Sequence, residues 1–186
     1  LGTVAFAGHS LAVAAESISF MPGHGFAIAA TTLVGQNLGK KNIEDADESA
    51  RKSTIFALIM MGSVAIAFLS IPNIIMRLLS TDKGAVAIGA ACLRVGALEQ
   101  IPIAIAMVIS GALKGAGDTK GPFKISLVTN LLVRMPLIYL IVYVFRLHVA
   151  YVWGATAIQF MVEALLMMMR YKRGSWKRSE AQWEQQ

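Results

Sequence analysis

Three carboxylates and one guanidinium stand inside apolar runs of this chain: Glu16 in AAESISFMPGHG, Glu99 beside Gln100 in LRVGALEQIP, Arg134 in NLLVRMP, and Glu163 before MMMR. At the centre of a membrane helix an ionised side chain costs roughly 3 kcal/mol or more, so such groups pair, line a polar cavity or bind a cation. Glu16, Glu99, Gln100 and Arg134 are therefore candidate ion- or substrate-binding residues. The competing structural reading pairs Arg134 with Glu16, with Glu99 or with an acid in a missing half of the protein, or Arg94 with Glu99 five residues later. His9 precedes Glu16 by seven residues, about two helical turns, so both share one face. Glu163 lies only seven residues before Arg170, nearer the end of its run.

The elements that must carry these groups are membrane helices. Hydrophobic residues make up 56% of the 186 and charged residues 15%, against roughly 25% charged in soluble domains. Mean hydropathy is +0.61. The net charge of +6 does not point to nucleic acid, because the basic residues fall between and after the apolar runs and form no single stripe. Cys92 is the one cysteine, which excludes a disulfide framework and a Cys/His metal cluster.

Five apolar segments follow, at about 4–34, 54–76, 85–113, 121–145 and 149–169. Each is long enough to cross ~30 Å of hydrocarbon at about 1.5 Å per residue. Their boundaries have helix-end chemistry. Asn42 with Asp45 three residues later predicts an N-cap ahead of the second span, and Ser80, Thr81 and Asp82 can cap the third. Gly115, Gly117 and Pro122 end one helix and begin another. The second span has no charge before Arg77 and is expected to face lipid. Pro22, Gly23 and Gly25 are a candidate hinge: within PGHG a lost backbone donor and flexible positions predict a kink or a partly unwound turn.

Basic residues set an orientation. Lys40, Lys41, Arg51, Lys52, Lys114, Lys120, Lys124, Arg170, Lys172, Arg173, Lys177 and Arg178 fall on one side; only Arg77, Lys83 and Arg146 fall on the other. Twelve against three places the C-terminus in the cytoplasm and the start of the first span outside. The chain begins at Leu1 without an initiator Met, a basic leader or a cleavable signal, so it is expected to be a piece of a longer protein. One further helix before it would complete a six-span half-transporter.

The run HSLAVAAESISFMPGHGFAIAATTLVGQNLGKKN, then GALKGAGDTKGP and the tail RYKRGSW, resembles the C-terminal half of the multidrug and toxic compound extrusion (MATE) family over nearly the whole chain. The most specific pieces are the cytoplasmic turns Gly35, Gln36 and Gly39 in GQNLG, and Gly115, Gly117, Asp118 and Thr119 in GAGDT. The resemblance implies an all-α polytopic bundle in the cytoplasmic membrane. Its five spans would be helices 8 to 12 of a twelve-helix, two-lobe antiporter, and residues 170–186 a basic cytoplasmic tail. It further implies export of drugs or toxic organic compounds, including cationic ones, driven by a proton or sodium gradient, with no organic cofactor and a missing N-terminal lobe as partner. Some members have an acidic residue on the third of these helices implicated in ion coupling, in a register that falls near Ile103, one turn from Glu99.

Other readings of the motifs carry less. Gly111 and Gly115 have the GxxxG spacing of close helix approach. Neither GQNLGKK nor Gly115–Gly121 has phosphate-loop spacing, and a helix precedes each where a strand is required. Met167, Met168 and Met169 suit packing or lipid. Trp176 and Trp183 among basic residues suit an interfacial anchor. The alternative functions are a lipid-linked oligosaccharide flippase of related architecture, which would want a more cationic cavity, and an intramembrane enzyme. The enzyme reading lacks metal-ligand spacing and a Ser/His nucleophile arrangement.

Overall fold

The computed structural model describes residues 2–145 and 147–179, and among them every regular element is helical. We number them α1 (Thr3–Gly39), α2 (Ile43–Ser70), α3 (Pro72–Leu79), α4 (Lys83–Gly96), α5 (Gln100–Gly115), α6 (Lys120–Val144) and α7 (Ala150–Lys172). Helix α6 is mixed, with π-turns over Thr129–Arg134 and Leu140–Val144. A short 3-10 turn, Ser175–Ser179, follows α7. Four helices are long and apolar enough to cross a membrane. Among the described residues, helices α4 and α5 meet that test only together, as a pair bent by 54° at the break between them.

The capping chemistry written in the sequence is present. Asn42 Oδ1 accepts from the Asp45 N–H at 3.0 Å while its Nδ2 donates to Asp45 Oδ2 at 2.7 Å. Asp82 Oδ1 accepts from Ala85 N–H at 2.9 Å, starting α4. Gly117 has φ +84°, a left-handed value at which a side chain would be strained, and it turns the chain between α5 and α6.

Helix α1 is the hub, packed against α2, α4 and α5. In hydrocarbon, association rests on close van der Waals contact between small residues. Accordingly α2 turns Ala46, Ala50, Ala57, Met61, Ala65 and Phe68 inward, a stripe at helical spacing. This stripe corrects the expectation that the second span is the lipid-facing one. It is α6 that is least covered by the rest of the chain, with Leu132, Met135, Tyr139 and Tyr143 exposed. Alanines give no hydropathy contrast between the two faces of α2, which is why composition hides the stripe.

Backbone meets backbone most closely at the glycines that join α1 to α5. A Cβ at Gly111 would lie 2.3 Å from the Ala27 carbonyl oxygen, and one at Gly115 would lie 2.2 Å from that of Thr31. Thr31 Oγ1 uses the proximity, sitting 2.9 Å from both the Ala27 and the Gly111 carbonyl oxygens. The GxxxG spacing is therefore a packing device here.

The expected unwound turn at Pro22 is absent: α1 runs uninterrupted through it. Gly23 is instead buried, with room for a Cβ closed by Met61 Sδ at 2.9 Å and Met107 Sδ at 3.2 Å. The break falls in the third span, where hydropathy alone marks one continuous segment over 85–113. Pro102 explains it, since its ring lacks an N–H for the Leu98 carbonyl and clashes with it. Residues 97–99 turn through Leu98 N–H to Val95 O (3.0 Å) and Glu99 N–H to Gly96 O (3.2 Å), leaving Pro102 in the first turn of α5 where a missing donor is harmless.

Gly111→Ala is expected to destabilise the chain by about 1–3 kcal/mol, although Ala is the better helix former by about 1 kcal/mol. Gly154→Ala, at a site with open space around it, should be neutral or stabilising. Thermal unfolding of both variants in detergent checks this; equal midpoints would contradict a tight α1–α5 contact at Gly111.

Candidate functional site

The helix break delivers Glu99 and Gln100 to the inside of the bundle, 1% and 0% exposed. Glu16 reaches the same place from α1, where Ala12, Ala15, Ser19 and Gly23 share its buried face. The two carboxyl groups are close neighbours, and the charge of Arg134 on α6 acts on both from farther away. Their oxygens are poorly served. Glu16 Oε1, both carboxyl oxygens of Glu99 and Gln100 Oε1 are buried with no hydrogen-bond donor among the described residues. Gln100 Nε2 makes one long bond, 3.5 Å to the Gly96 carbonyl. A cluster of orphan acceptors buried in a bundle is costly unless a proton or a cation completes it.

The structural pairings weighed for these acids are not made as contacts. Arg134 is half-buried and forms no ion pair within 4 Å among the described residues, and Arg94 is exposed. The break at 97–99 interrupts the helical phase between Arg94 and Glu99, so sequence separation no longer places them together. Ile103 is buried one turn into α5, its N–H bonded to the Glu99 carbonyl at 2.9 Å, so the register expected for a family acid lies immediately beside Glu99.

Glu163 behaves oppositely. It is buried on α7 and fully engaged: Ser126 Oγ donates to Oε1 at 2.5 Å, while Thr129 Oγ1 at 3.2 Å and Gln159 Nε2 both donate to Oε2. This cluster ties the first π-turn of α6 to α7. Sequence reasoning misses its members because Ser126, Thr129 and Gln159 look unremarkable singly; the signal is Gln159 and Glu163 at i,i+4 on an apolar helix.

Near the start of α1, His9 Nδ1 accepts from Trp153 Nε1 at 3.2 Å, with the rings edge-on, so His9 packs α1 onto α7. His24 is exposed. At the opposite end the two glycine turns meet. A Cβ on Gly35 would lie 3.1 Å from the Gly115 carbonyl oxygen, while Gln36 and Gly39 form the last turn of α1, where Gln36 O accepts from Lys40 N–H.

Asp118 locks this end. Arg170 Nε and Nη2 donate to its two carboxyl oxygens at 2.5 and 2.9 Å, and Gly121 N–H donates to Oδ1 at 3.0 Å. A Cβ at Gly121 would lie 1.8 Å from Arg170 Nε, so any larger residue there would push the guanidinium off Asp118. The hydrogen-bonded Arg170 guanidinium holds the Asp118 carboxyl below its usual range, against a smaller opposing push from burial. Thr119 serves the turn through its backbone, its N–H bonded to Gly117 O at 3.1 Å. Trp183 lies outside the described residues.

Comparison with known proteins gives the class to which this membrane bundle belongs. The MatE family model matches residues 1–140, and the chain belongs to this family of multi-pass membrane transporters, which are not enzymes. It is 29% identical over 177 residues to the probable multidrug resistance protein NorM of Thermotoga maritima, covering 95% of this chain and 38% of that one. A crystal structure of MATE in the bent conformation superposes with a TM-score of 0.86 at 21% identity, covering 95% of this chain and 40% of the other. A transporter of the MOP superfamily from Pyrococcus furiosus, described as having a binding pocket of reversed polarity, gives 0.82 at 20% identity over 96% of this chain and 38% of its own. The chain thus spans well under half the length of these relatives.

The Asp118–Arg170 pair, partly open to solvent, is expected to contribute about 1 kcal/mol in a double-mutant cycle with Asp118→Asn and Arg170→Gln. Because the folded carboxyl is held low, this stability is present above the ordinary aspartate pKa of about 4 and is lost as pH falls through the lower folded value. Unfolding midpoints measured from pH 7 down to 3 should fall less in Asp118→Asn than in the unmodified chain; parallel curves would contradict the assignment.

Proposed function

We propose that the chain is the C-terminal lobe of a cation-coupled efflux antiporter and that Glu16 and Glu99 form its ion-coupling site. The observation that carries this is the set of buried, undonated acid oxygens at the break between α4 and α5. One proton shared between the carboxyl groups, or one sodium ion held by them with Gln100 Oε1, satisfies what the protein leaves open. Arg134 then moderates the charge of the pair from a distance instead of neutralising it by contact. An organic cation reaching the same acids would compete with the coupling ion, which is the exchange an antiporter needs.

The rest of the machine lies in an N-terminal lobe. By the positive-inside count the Asp118–Arg170 end is cytoplasmic and the His9–Trp153 end external. The exported compounds are drugs or toxic organic molecules, in keeping with the multidrug resistance names of the relatives. A flippase for lipid-linked oligosaccharides would need cations to meet its pyrophosphate. Since a structural neighbour is described as having a reversed pocket polarity, the sign must be taken from this chain's own residues. Here three of the five buried undonated side-chain atoms among the described residues are carboxyl oxygens of Glu16 and Glu99, the other two being the neutral amide oxygens of Gln100 and Gln159, and none is a cation.

Glu16→Gln and Glu99→Gln, each in the full-length transporter, are expected to cut drug efflux at least tenfold while leaving membrane expression intact. Glu163→Gln, at a fully donated carboxylate, should reduce stability first. Efflux from proteoliposomes under separate proton and sodium gradients measures both effects and identifies the ion; undiminished efflux in Glu16→Gln and Glu99→Gln would defeat the proposal.

A further inference from the structure

A second cavity, about 450 Å3 in volume, opens where α2, α5 and α7 meet at the cation-rich end of the bundle. It has two chemistries. Arg51, Lys172 and Lys177 line it, all exposed, beside Asp47; Ala50, Ile55, Ile109 and Met168 make its apolar part. Among the described residues Asp47 makes no ion pair within 4 Å with these three cations, and its Oδ1 accepts from Tyr171 Oη at 2.9 Å. Arg51 feels the charge of Glu48, but Glu48 is bound to Lys52 at 2.9 Å.

The cavity lies where the apolar stretches of α2 and α7 give way to basic residues, the depth at which a bilayer's headgroups would stand. Tyr171 and Trp176 stack at 4.9 Å beside it, and Trp176, buried at 2% exposure, donates from Nε1 to the Tyr171 carbonyl at 2.9 Å, so the pair makes a packed wall. Lys177 Nζ lies 5.2 Å from the centre of the Trp176 ring, so its ammonium is held at the rim. Arg51 stands three residues before the apolar run of α2 begins at Thr54. Cations at the headgroup level, with an apolar wall running from them towards the bilayer core, complement one class of molecule.

We propose that this cavity is a binding site for one anionic phospholipid. Its phosphate is held by Arg51, Lys172 and Lys177, with the guanidinium able to engage two phosphate oxygens, and one acyl chain lies along Ile55, Ile109 and Met168. The site is separate from the acid pair, and its occupancy does not depend on which ion or substrate the transporter uses. A bound lipid would bridge α2 to α7, reinforcing the Asp47–Tyr171 hydrogen bond that joins the two helices here.

Native mass spectrometry of the 186-residue chain in detergent, with phosphatidylglycerol and phosphatidylcholine supplied in equal amounts, tests this. The chain is expected to retain phosphatidylglycerol about tenfold over phosphatidylcholine. The triple variant Arg51→Gln, Lys172→Gln, Lys177→Gln should lose that preference. A charge-matched control, Lys114→Gln, Lys120→Gln, Lys124→Gln, removes as many cations from the same end outside the cavity and should keep it. Ile55→Trp, which fills the apolar wall and leaves every cation in place, should weaken retention severalfold. Equal retention of the two lipids by the unmodified chain, or equal loss in the cavity and control triples, would overturn the site. Displacement of the lipid by excess inorganic phosphate alone would also overturn it, by showing a headgroup-only anion site.

Discussion

The closeness of α1 and α5 governs this structure. Where hydrocarbon replaces water there is little hydrophobic drive between helices, and only residues without side-chain bulk let two backbones touch. Gly111 and Gly115 face the Ala27 and Thr31 carbonyl groups at distances that exclude a Cβ, and Thr31 spans the gap with its hydroxyl. That contact fixes α5 against the C-terminal half of α1. The chain must then break near Glu99 to carry α4 along the other half, where Gly8 and Gly89 again let the two helices approach closely. The acid pair is a consequence of this geometry, since Glu16 and Glu99 meet where the crossing ends.

Four acids, Glu16, Glu99, Asp118 and Glu163, separate into two kinds by whether donors reach them. Glu163 has three donors and Asp118 has a guanidinium plus a backbone N–H, so both fasten helices together. Glu16 and Glu99 have acceptor atoms with nothing to accept from among the described residues. Buried acceptors left open call for something else to complete them, and this is the ground on which the orphan pair is proposed as the functional one.

Much of the architecture is legible from residue types. Long apolar runs mark five spans, Asn42 and Asp82 announce their helices, and the glycine turns mark the ends that Asp118 and Arg170 lock together. The positions where residue types mislead share a cause: a local signal acts within packing that the sequence does not display. Pro22 signals a break in α1 more loudly than Pro102 does in the third span, yet Gly23 beside Pro22 is clamped by Met61 and Met107, while the Pro102 ring removes the bond that would have joined α4 to α5. The second span reads as lipid-facing because an alanine stripe is invisible to hydropathy. Arg94 is close to Glu99 in sequence, but the break turns it to the surface. The Glu163 cluster is legible only in Gln159, four residues away on the same helix, because Ser126 and Thr129 come from α6 and residue spacing does not announce that approach.

The central claim is that Glu16 and Glu99 act as one cation site, and coupling between them is what distinguishes a site from two buried acids. The most direct measurement is equilibrium proton release on adding sodium to the purified chain in lipid nanodiscs, for the unmodified protein, Glu16→Gln, Glu99→Gln and the double variant. A shared site predicts that either single change removes the exchange and that the double variant loses no more. Two partial losses that add up in the double variant, or undiminished exchange in either single variant, would contradict it.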